Sequence, residues 1–113
     1  MISLTIDEAI CVEFSDESKR DISKSFEWGR KEWGADAASR WYRNLRSQTR
    51  DILTFFPLSQ PIAPESDELG REIRQMVFSR YRVLFEVRER TVRILHVRGA
   101  YSDSDETIPG EDK

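Results

Sequence analysis

The chain has 113 residues and little of the side-chain chemistry on which many enzymes depend. It contains one cysteine, Cys11, and one histidine, His96, so an internal disulfide and the usual kind of zinc site are excluded. No apolar run approaches the roughly 20 residues of a membrane helix. We therefore expect no metal, no cofactor and no membrane span, a cytoplasmic location, and a Cys11 that is buried in a strand as a small hydrophobe.

Lysine is scarce too, and arginine replaces it in one segment. No lysine lies between Glu32 and Asp112, whereas the segment 71–98 carries eight arginines against three acids, a local charge of +5 in a chain of net charge -3. Because a guanidinium binds carboxylate and phosphate bidentately, this segment predicts an anionic partner. The arginines are Arg71, Arg74, Arg80, Arg82, Arg88, Arg90, Arg93 and Arg98.

The first half of the sequence predicts one strand and two helices. Residues 9–14 end in apolar–polar alternation, which is typical of a short strand. Ser15 or Asp16 then caps a helix that ends at Gly34. A second helix follows directly, and its apolar stripe continues at helical spacing to Phe56.

The second half predicts a loop and three strands. Pro57, Pro61 and Pro64 exclude further helix, so residues 56–69 are expected to form a long loop. Three strand-like runs follow, and their short connections require antiparallel neighbours. The three runs are 71–77, 81–87 and 91–97.

This order, β-α-α-β-β-β, predicts an α+β fold in which a helical hairpin packs on one face of a small, mostly antiparallel sheet. Residues 1–102 are expected to form a single domain, and the acidic residues 103–113 a disordered tail. Strand alternation assigns the middle strand's side chains to two faces. Those predicted to face the helices are Tyr81, Val83, Phe85 and Val87. Those predicted to lie on an open face are Arg82, Leu84 and Glu86.

Three stretches within these elements carry a family resemblance. They are Phe56-Pro57 followed by the run 61–70, the run Glu72-Ile73-Arg74-Gln75-Met76 leading to Tyr81-Arg82-Val83-Leu84-Phe85, and Val92-Arg93-Ile94-Leu95-His96-Val97-Arg98. In these stretches and in its element order the chain resembles the RelE/ParE superfamily, the toxins of type II toxin–antitoxin modules. The resemblance covers residues 12–103 and looks closest to the ParE-like plasmid stabilisation branch.

The resemblance implies a growth-inhibiting toxin that a cognate antitoxin neutralises. A ParE-like member would act by binding a target such as DNA gyrase, without catalysis. A RelE-like member would instead be a metal-independent endoribonuclease that cuts messenger RNA on the ribosome. A third alternative is a non-toxic, degenerate member that only binds partners. A homodimer and a toxin–antitoxin hetero-oligomer are both compatible with this reading.

For the endoribonuclease alternative, the resemblance implies that Arg82 contacts the phosphate. It also implies that Arg98 or Tyr101 corresponds to the catalytic arginine and tyrosine that RelE-like enzymes carry near the C-terminus. The lysines that serve the proton chemistry in RelE-like enzymes are missing, so no general base is visible and Glu86 is the only substitute. The plainer interpretation pairs Arg82 with Glu86 or Glu72 as a solvated strand arginine.

Two further residue types have structural as well as functional interpretations. His96 shares the alternation of Val92 and Ile94, which favours a structural histidine over a catalytic one. Trp33 and Trp41 belong to the apolar stripes, whereas Trp28 falls off its stripe and is predicted to be exposed as an antitoxin or dimer contact. The residues predicted to bind the target or the antitoxin are Arg74, Arg80, Arg82, Arg93, Arg98 and Trp28.

Overall fold

A computed structural model describes residues 10–99 of the chain. Its elements are the strand β1 (Cys11–Phe14), the helices α1 (Asp16–Trp33) and α2 (Ala35–Phe55), a 3-10 turn (Pro57–Ser59), a short helix α3 (Glu65–Leu69), and the strands β2 (Arg74–Phe78), β3 (Tyr81–Arg88) and β4 (Thr91–Gly99). The α+β class and the order of the main elements are confirmed. The predicted domain end at 102 and the acidic tail 103–113 lie outside the described residues.

The four strands form one sheet in the order β1-β4-β3-β2. Strands β2, β3 and β4 pair antiparallel, as their two-residue turns require, while β1 pairs parallel with β4. The turns place Ser79 and Glu89 at positive φ (both 56°). The predicted meander is therefore confirmed, and β4 is an inner strand with partners on both sides.

Strand β4 contains one extra residue. Leu84 pairs with His96 but Phe85 pairs with Ile94, so Leu95 has no partner in β3 and forms a β-bulge. A bulge reverses the alternation beyond it. Val92 and Ile94 face the helices before the bulge, and Val97, which is buried, faces them after it. The prediction that His96 shares the face of Val92 and Ile94 is therefore wrong.

The start of α1 is fastened to this bulge through Ser15. The Ser15 hydroxyl accepts a hydrogen bond from the Ser18 amide (3.0 Å), as a helix N-cap does, and donates one to the Leu95 carbonyl (3.2 Å). The Ser15 amide also donates to the Ile94 carbonyl (3.0 Å). The predicted cap is confirmed, as is the end of α1 at Gly34, which adopts φ 101°.

The main core lies between the helical hairpin and the sheet. The helices contribute buried Ile22, Leu45 and Leu53, and the sheet contributes Val83, Phe85 and other strand residues. Tyr81, Val83 and Phe85 are buried as predicted, and Val87 is partly buried against the same core. None of the helices within residues 10–99 is both long and apolar enough to cross a membrane.

A second, smaller core covers part of the face predicted to be open. Buried Leu84 packs there with Ala63 and Ile73, and Leu95 of the bulge packs against them. The residues 56–69 supply this cover because they are not a plain loop: they contain the 3-10 turn and α3. The following strand accordingly begins at Arg74, three residues later than predicted.

Cys11 is exposed on β1, so the prediction of a buried thiol is wrong. Strand β1 is an edge strand, and its residues 11 and 13 alternate with the partly buried Val12 and Phe14. The strand itself is confirmed over residues 11–14.

Replacing Ser15 with alanine removes both the N-cap and the bond to the bulge. We expect Ser15→Ala to lower the free energy of unfolding by about 1–2 kcal/mol, measured by urea denaturation. Ser23→Ala is the matched control, because Ser23 is exposed within the same helix. Equal stabilities of the two variants would contradict the proposed anchoring.

Candidate anion-binding site

Three neighbouring strands bring polar side chains to the face opposite the helical hairpin. Arg82 of β3 lies directly opposite Arg98 of β4, and on its other side it lies opposite Val77 of β2. Gln75 is two residues from Val77 and therefore on the same face. Two arginines opposite one another on adjacent strands repel, so this face requires an anion close to them.

Glu65, the first residue of α3, supplies that anion. Its Oε2 accepts a hydrogen bond from the Arg82 Nη2 (2.6 Å), and its Oε1 accepts one from the Arg82 Nη1 (3.2 Å), which is a bidentate pair. The Gln75 Oε1 accepts a further bond from the Arg82 Nη1 (2.7 Å). The Arg98 Nη1 lies 3.9 Å from the Glu65 Oε2. We call these four residues the Glu65 cluster.

The backbone around α3 holds Glu65 over the sheet. The Ser66 hydroxyl accepts a hydrogen bond from the Ile73 amide and donates one to the Ile73 carbonyl, both at 2.8 Å. Gly70 ends α3 in the left-handed conformation, with φ 68°, and its amide donates to the Ser66 carbonyl (2.9 Å). Ala63, one residue before Pro64, is buried in the small core.

The electrostatics of the cluster keep Glu65 ionised at neutral pH. Hydrogen bonding to Arg82 holds the pKa of the Glu65 carboxyl below its ordinary value. Partial burial acts in the opposite direction, and the charges of Arg82 and Arg98 lower the pKa further. The side chains of Glu65 and Arg82 are 16% and 23% exposed, whereas that of Arg98 is 40% exposed. The cluster is therefore open to solvent on the Arg98 side.

The predicted ion pairs of Arg82 are wrong. Glu86 pairs instead with Arg71 (3.5 Å), and Glu72 pairs with Arg74 (2.7 Å). The register explains this difference: Arg82 lies beside β2 and β4, where the connection before β2 passes over the sheet and presents Glu65. Glu86, the substitute base inferred from the sequence, is thus engaged elsewhere.

Arg74 binds the backbone of the connection between α2 and β2. Its Nη1 donates to the carbonyls of Gln60 (2.6 Å) and Leu58 (3.3 Å), so it fixes the connection between α2 and β2. Arg93 pairs with Glu13 (3.5 Å) across β4 and β1, where the two residues lie in register. These two arginines lie apart from the Glu65 cluster in the hydrogen-bond network.

The other predicted binding and catalytic residues lie away from the Glu65 cluster or outside the described residues. Arg80 is half-buried in the turn between β2 and β3. Trp28, predicted to be exposed, is partly buried and packs edge to face on Trp33, with 5.3 Å between ring centroids. Trp33 also contacts Trp41 of the other helix (6.5 Å), as its place in the apolar stripe predicts. Tyr101 lies outside the described residues.

His96 is held by a carboxylate that sequence reasoning missed. The Asp21 Oδ2 of α1 lies 3.0 Å from the His96 Nδ1 and accepts a hydrogen bond from the Val97 amide (2.9 Å). Beyond Ile94, β1 no longer pairs with β4, so Asp21 satisfies an edge amide that has lost its strand partner. His96 is therefore paired with Asp21, and its structural rather than catalytic role stays a prediction.

Glu65 and Gln75 are the cluster members that the sequence did not reveal. Glu65 follows three prolines in a stretch that is typical of a loop, and no regular spacing relates it to an arginine of a strand. The one available signal was the sequence 65–70, Glu-Ser-Asp-Glu-Leu-Gly, in which acids in a first turn and a closing glycine indicate a short helix. Within residues 10–99, no three His, Cys, Asp or Glu side chains gather as a metal site would need.

Comparison with known proteins identifies the family. The sequence pattern described as "ParE toxin of type II toxin-antitoxin system, parDE" matches residues 12–102. The chain belongs to the ParE toxin family. A solved structure titled "Chromosomal ParDE TA system from P. aeruginosa" is similar in fold, with a TM-score of 0.66 and 11% sequence identity over 81% of this chain and 97% of the other. A search of curated proteins found no match.

At 11% identity the structural likeness establishes only the fold, which agrees with the α+β architecture of this ParE-family chain. The family match spans α1, α2 and all three antiparallel strands, so it includes every member of the Glu65 cluster. Within the ParE fold, the cluster is thus part of the family domain and not an appended feature.

The depressed pKa of Glu65 gives a pH dependence with a definite sign. The stability contributed by the Glu65–Arg82 pair is fully present above the unfolded-state pKa near 4.5, and it is lost as the pH falls through the lower folded-state value. We expect Glu65→Gln to lower the free energy of unfolding by about 1–2 kcal/mol at neutral pH. The deficit should shrink below about pH 4.5.

Urea denaturation of the native and variant chains from about pH 3 to about pH 7, on both sides of the ordinary glutamate pKa, measures this difference in the free energy of unfolding. Glu68→Gln is the matched control, because Glu68 is an exposed acid of the same short helix. A deficit that stays constant across the range, or one that Glu68→Gln reproduces, would contradict the assignment.

Proposed function

We propose that this ParE-family chain is a toxin that binds its target without catalysing a reaction, with DNA gyrase as the target, and that a cognate antitoxin neutralises it. The main support for a non-catalytic toxin is that Arg82 is already hydrogen-bonded to side chains of the same molecule. Its guanidinium is already bound by Glu65 and Gln75 at 2.6–3.2 Å, so it is not poised over an empty phosphate site. Family membership supports the toxin role.

The exposed surface around the cluster favours a protein partner. Arg98 presents a partly exposed guanidinium, and Val77, opposite Arg82 in the register, is 63% exposed. Leu69 at the end of α3 and Ile62 beside Arg74 are exposed apolar residues of the same connection and strand edge. A mixture of arginine with exposed apolar side chains is typical of protein interfaces.

Inhibition of gyrase by this chain can be measured directly. Purified chain at micromolar concentration should inhibit supercoiling by gyrase, and Arg98→Gln should weaken the inhibition by about tenfold because it removes an interface arginine. Arg88→Gln, which removes the same charge from an exposed position of β3, should have little effect. Unchanged gyrase activity in the presence of a chain that still arrests growth would overturn the choice of target.

The endoribonuclease remains a second candidate because of one observation. Glu65 places a carboxylate against two arginines, which offers a base where the sequence showed none. Its lowered pKa makes it a weak base at neutral pH, and for this reason we rank this candidate second. Cleavage of ribosome-bound messenger RNA that is lost in both Arg82→Ala and Glu65→Gln would favour it over the binding toxin.

A non-toxic member of the family makes a different prediction. Expression of the chain alone would then leave growth unchanged, while the antitoxin would still bind. In either case we expect the antitoxin to present acids to Arg98 and its neighbours, so that the affinity falls as the salt concentration rises.

A further inference from the structure

We propose that the Glu65 cluster is an exchangeable carboxylate site, in which an acidic side chain of a protein partner takes the place of Glu65 between Arg82 and Arg98. The ligand class is a carboxylate, because the carboxylate of Glu65 already lies against Arg82 and Arg98, beside Gln75. The identification of the partner as the antitoxin rests on the proposed function. The displacement of Glu65 by another carboxylate does not depend on that function.

The two arginines of the Glu65 cluster require an anion. Arg82 and Arg98 are directly opposed on neighbouring strands, so their charges repel unless an anion lies close to both. Within residues 10–99, Glu65 is the acid that pairs with both. A partner carboxylate can therefore leave the charge balance of the sheet unchanged when it replaces Glu65.

Glu65 contacts the two arginines unequally. It binds Arg82 bidentately but approaches Arg98 only to 3.9 Å, outside hydrogen-bond distance. Arg98 is also the more exposed of the two arginines. A carboxylate arriving from solvent can bind Arg98 directly, an interaction that Glu65 does not make, and this difference is what favours exchange.

Exchange requires that the Glu65 side chain can leave Arg82 while the backbone stays in place. None of the five residues of α3 is buried, while the backbone below is fixed by the two hydrogen bonds between Ser66 and Ile73. The side chain of Glu65 can thus rotate towards solvent without moving the connection. Exposed Val77 lies beside Arg82, so the fitting partner segment carries an acid next to an apolar residue.

The test uses the full chain and a capped tetraglutamate peptide as probe, with capped tetraglutamine as the neutral probe, at constant ionic strength. Because Glu65 competes with the probe, Glu65→Gln should bind tetraglutamate about tenfold more tightly than the native chain, as expected if the open state is about a tenth populated. Adding Arg82→Gln or Arg98→Gln should abolish the gain, and tetraglutamine should show none.

Glu68→Gln controls for net charge. Equal gains in Glu65→Gln and Glu68→Gln would overturn the proposal, because the effect would then be one of charge alone. Tighter binding of inorganic phosphate than of tetraglutamate by Glu65→Gln would also overturn it, because the site would then select phosphate. Neither failure decides the gyrase proposal, because gyrase inhibition is measured separately.

If Glu65→Gln does not fold, carboxyl carbon-13 NMR of the native chain decides the question. Saturation with tetraglutamate should shift the Glu65 resonance and raise its pKa towards the ordinary value as Arg82 is released. An unchanged Glu65 resonance at a tetraglutamate concentration that shifts the side-chain resonances of Arg98 would show that the probe binds without exchange, and the proposal would fail.

Discussion

The bulge at Leu95 decides what each face of the sheet presents. Without the extra residue, strict alternation from Val92 and Ile94 would direct Arg98 beneath the helices, where burying an unpaired guanidinium is costly. With it, Val97 enters the core and Arg98 emerges opposite Arg82. The start of α1 holds the bulge from its edge, through Ser15 on Leu95 and Asp21 on Val97. One irregularity in one strand thus determines both the packing of the helices and the charge of the opposite face.

Two arginines on adjacent strands require a counter-ion, and the connection before β2 supplies one, Glu65. Glu65 and Gln75 both accept hydrogen bonds from Arg82, whereas Glu65 approaches Arg98 only to 3.9 Å, so the face is neither a bare cationic surface nor a closed salt bridge. This intermediate state connects the structure to function. Arg98, which is 40% exposed beside apolar residues such as Val77, suits a protein partner that carries acids.

The sequence predicted the elements well and the contacts poorly, for physical reasons. Helical periodicity, the Ser15 cap, Gly34 and the short turns are local signals, and each of these predictions is confirmed. The bulge left no comparable signal, so the parity of His96 was misjudged. The partners of Arg82 and Glu86 depend on where a proline-rich connection crosses the sheet, which no local pattern encodes. Leu84 was assigned to an open face for the same reason, because Ala63 and Ile73 cover it.

Glu65 is the counter-ion that the paired arginines require, and a double-mutant cycle measures how strongly Glu65 and Arg82 depend on one another. Urea denaturation of the native chain, Glu65→Gln, Arg82→Gln and the double variant at neutral pH gives the coupling energy. We expect a coupling energy of about 1–2 kcal/mol between Glu65 and Arg82, as for a hydrogen-bonded charge pair, and a smaller coupling energy between Glu65 and Arg98. Additive effects of Glu65→Gln and Arg82→Gln, with no coupling, would contradict it.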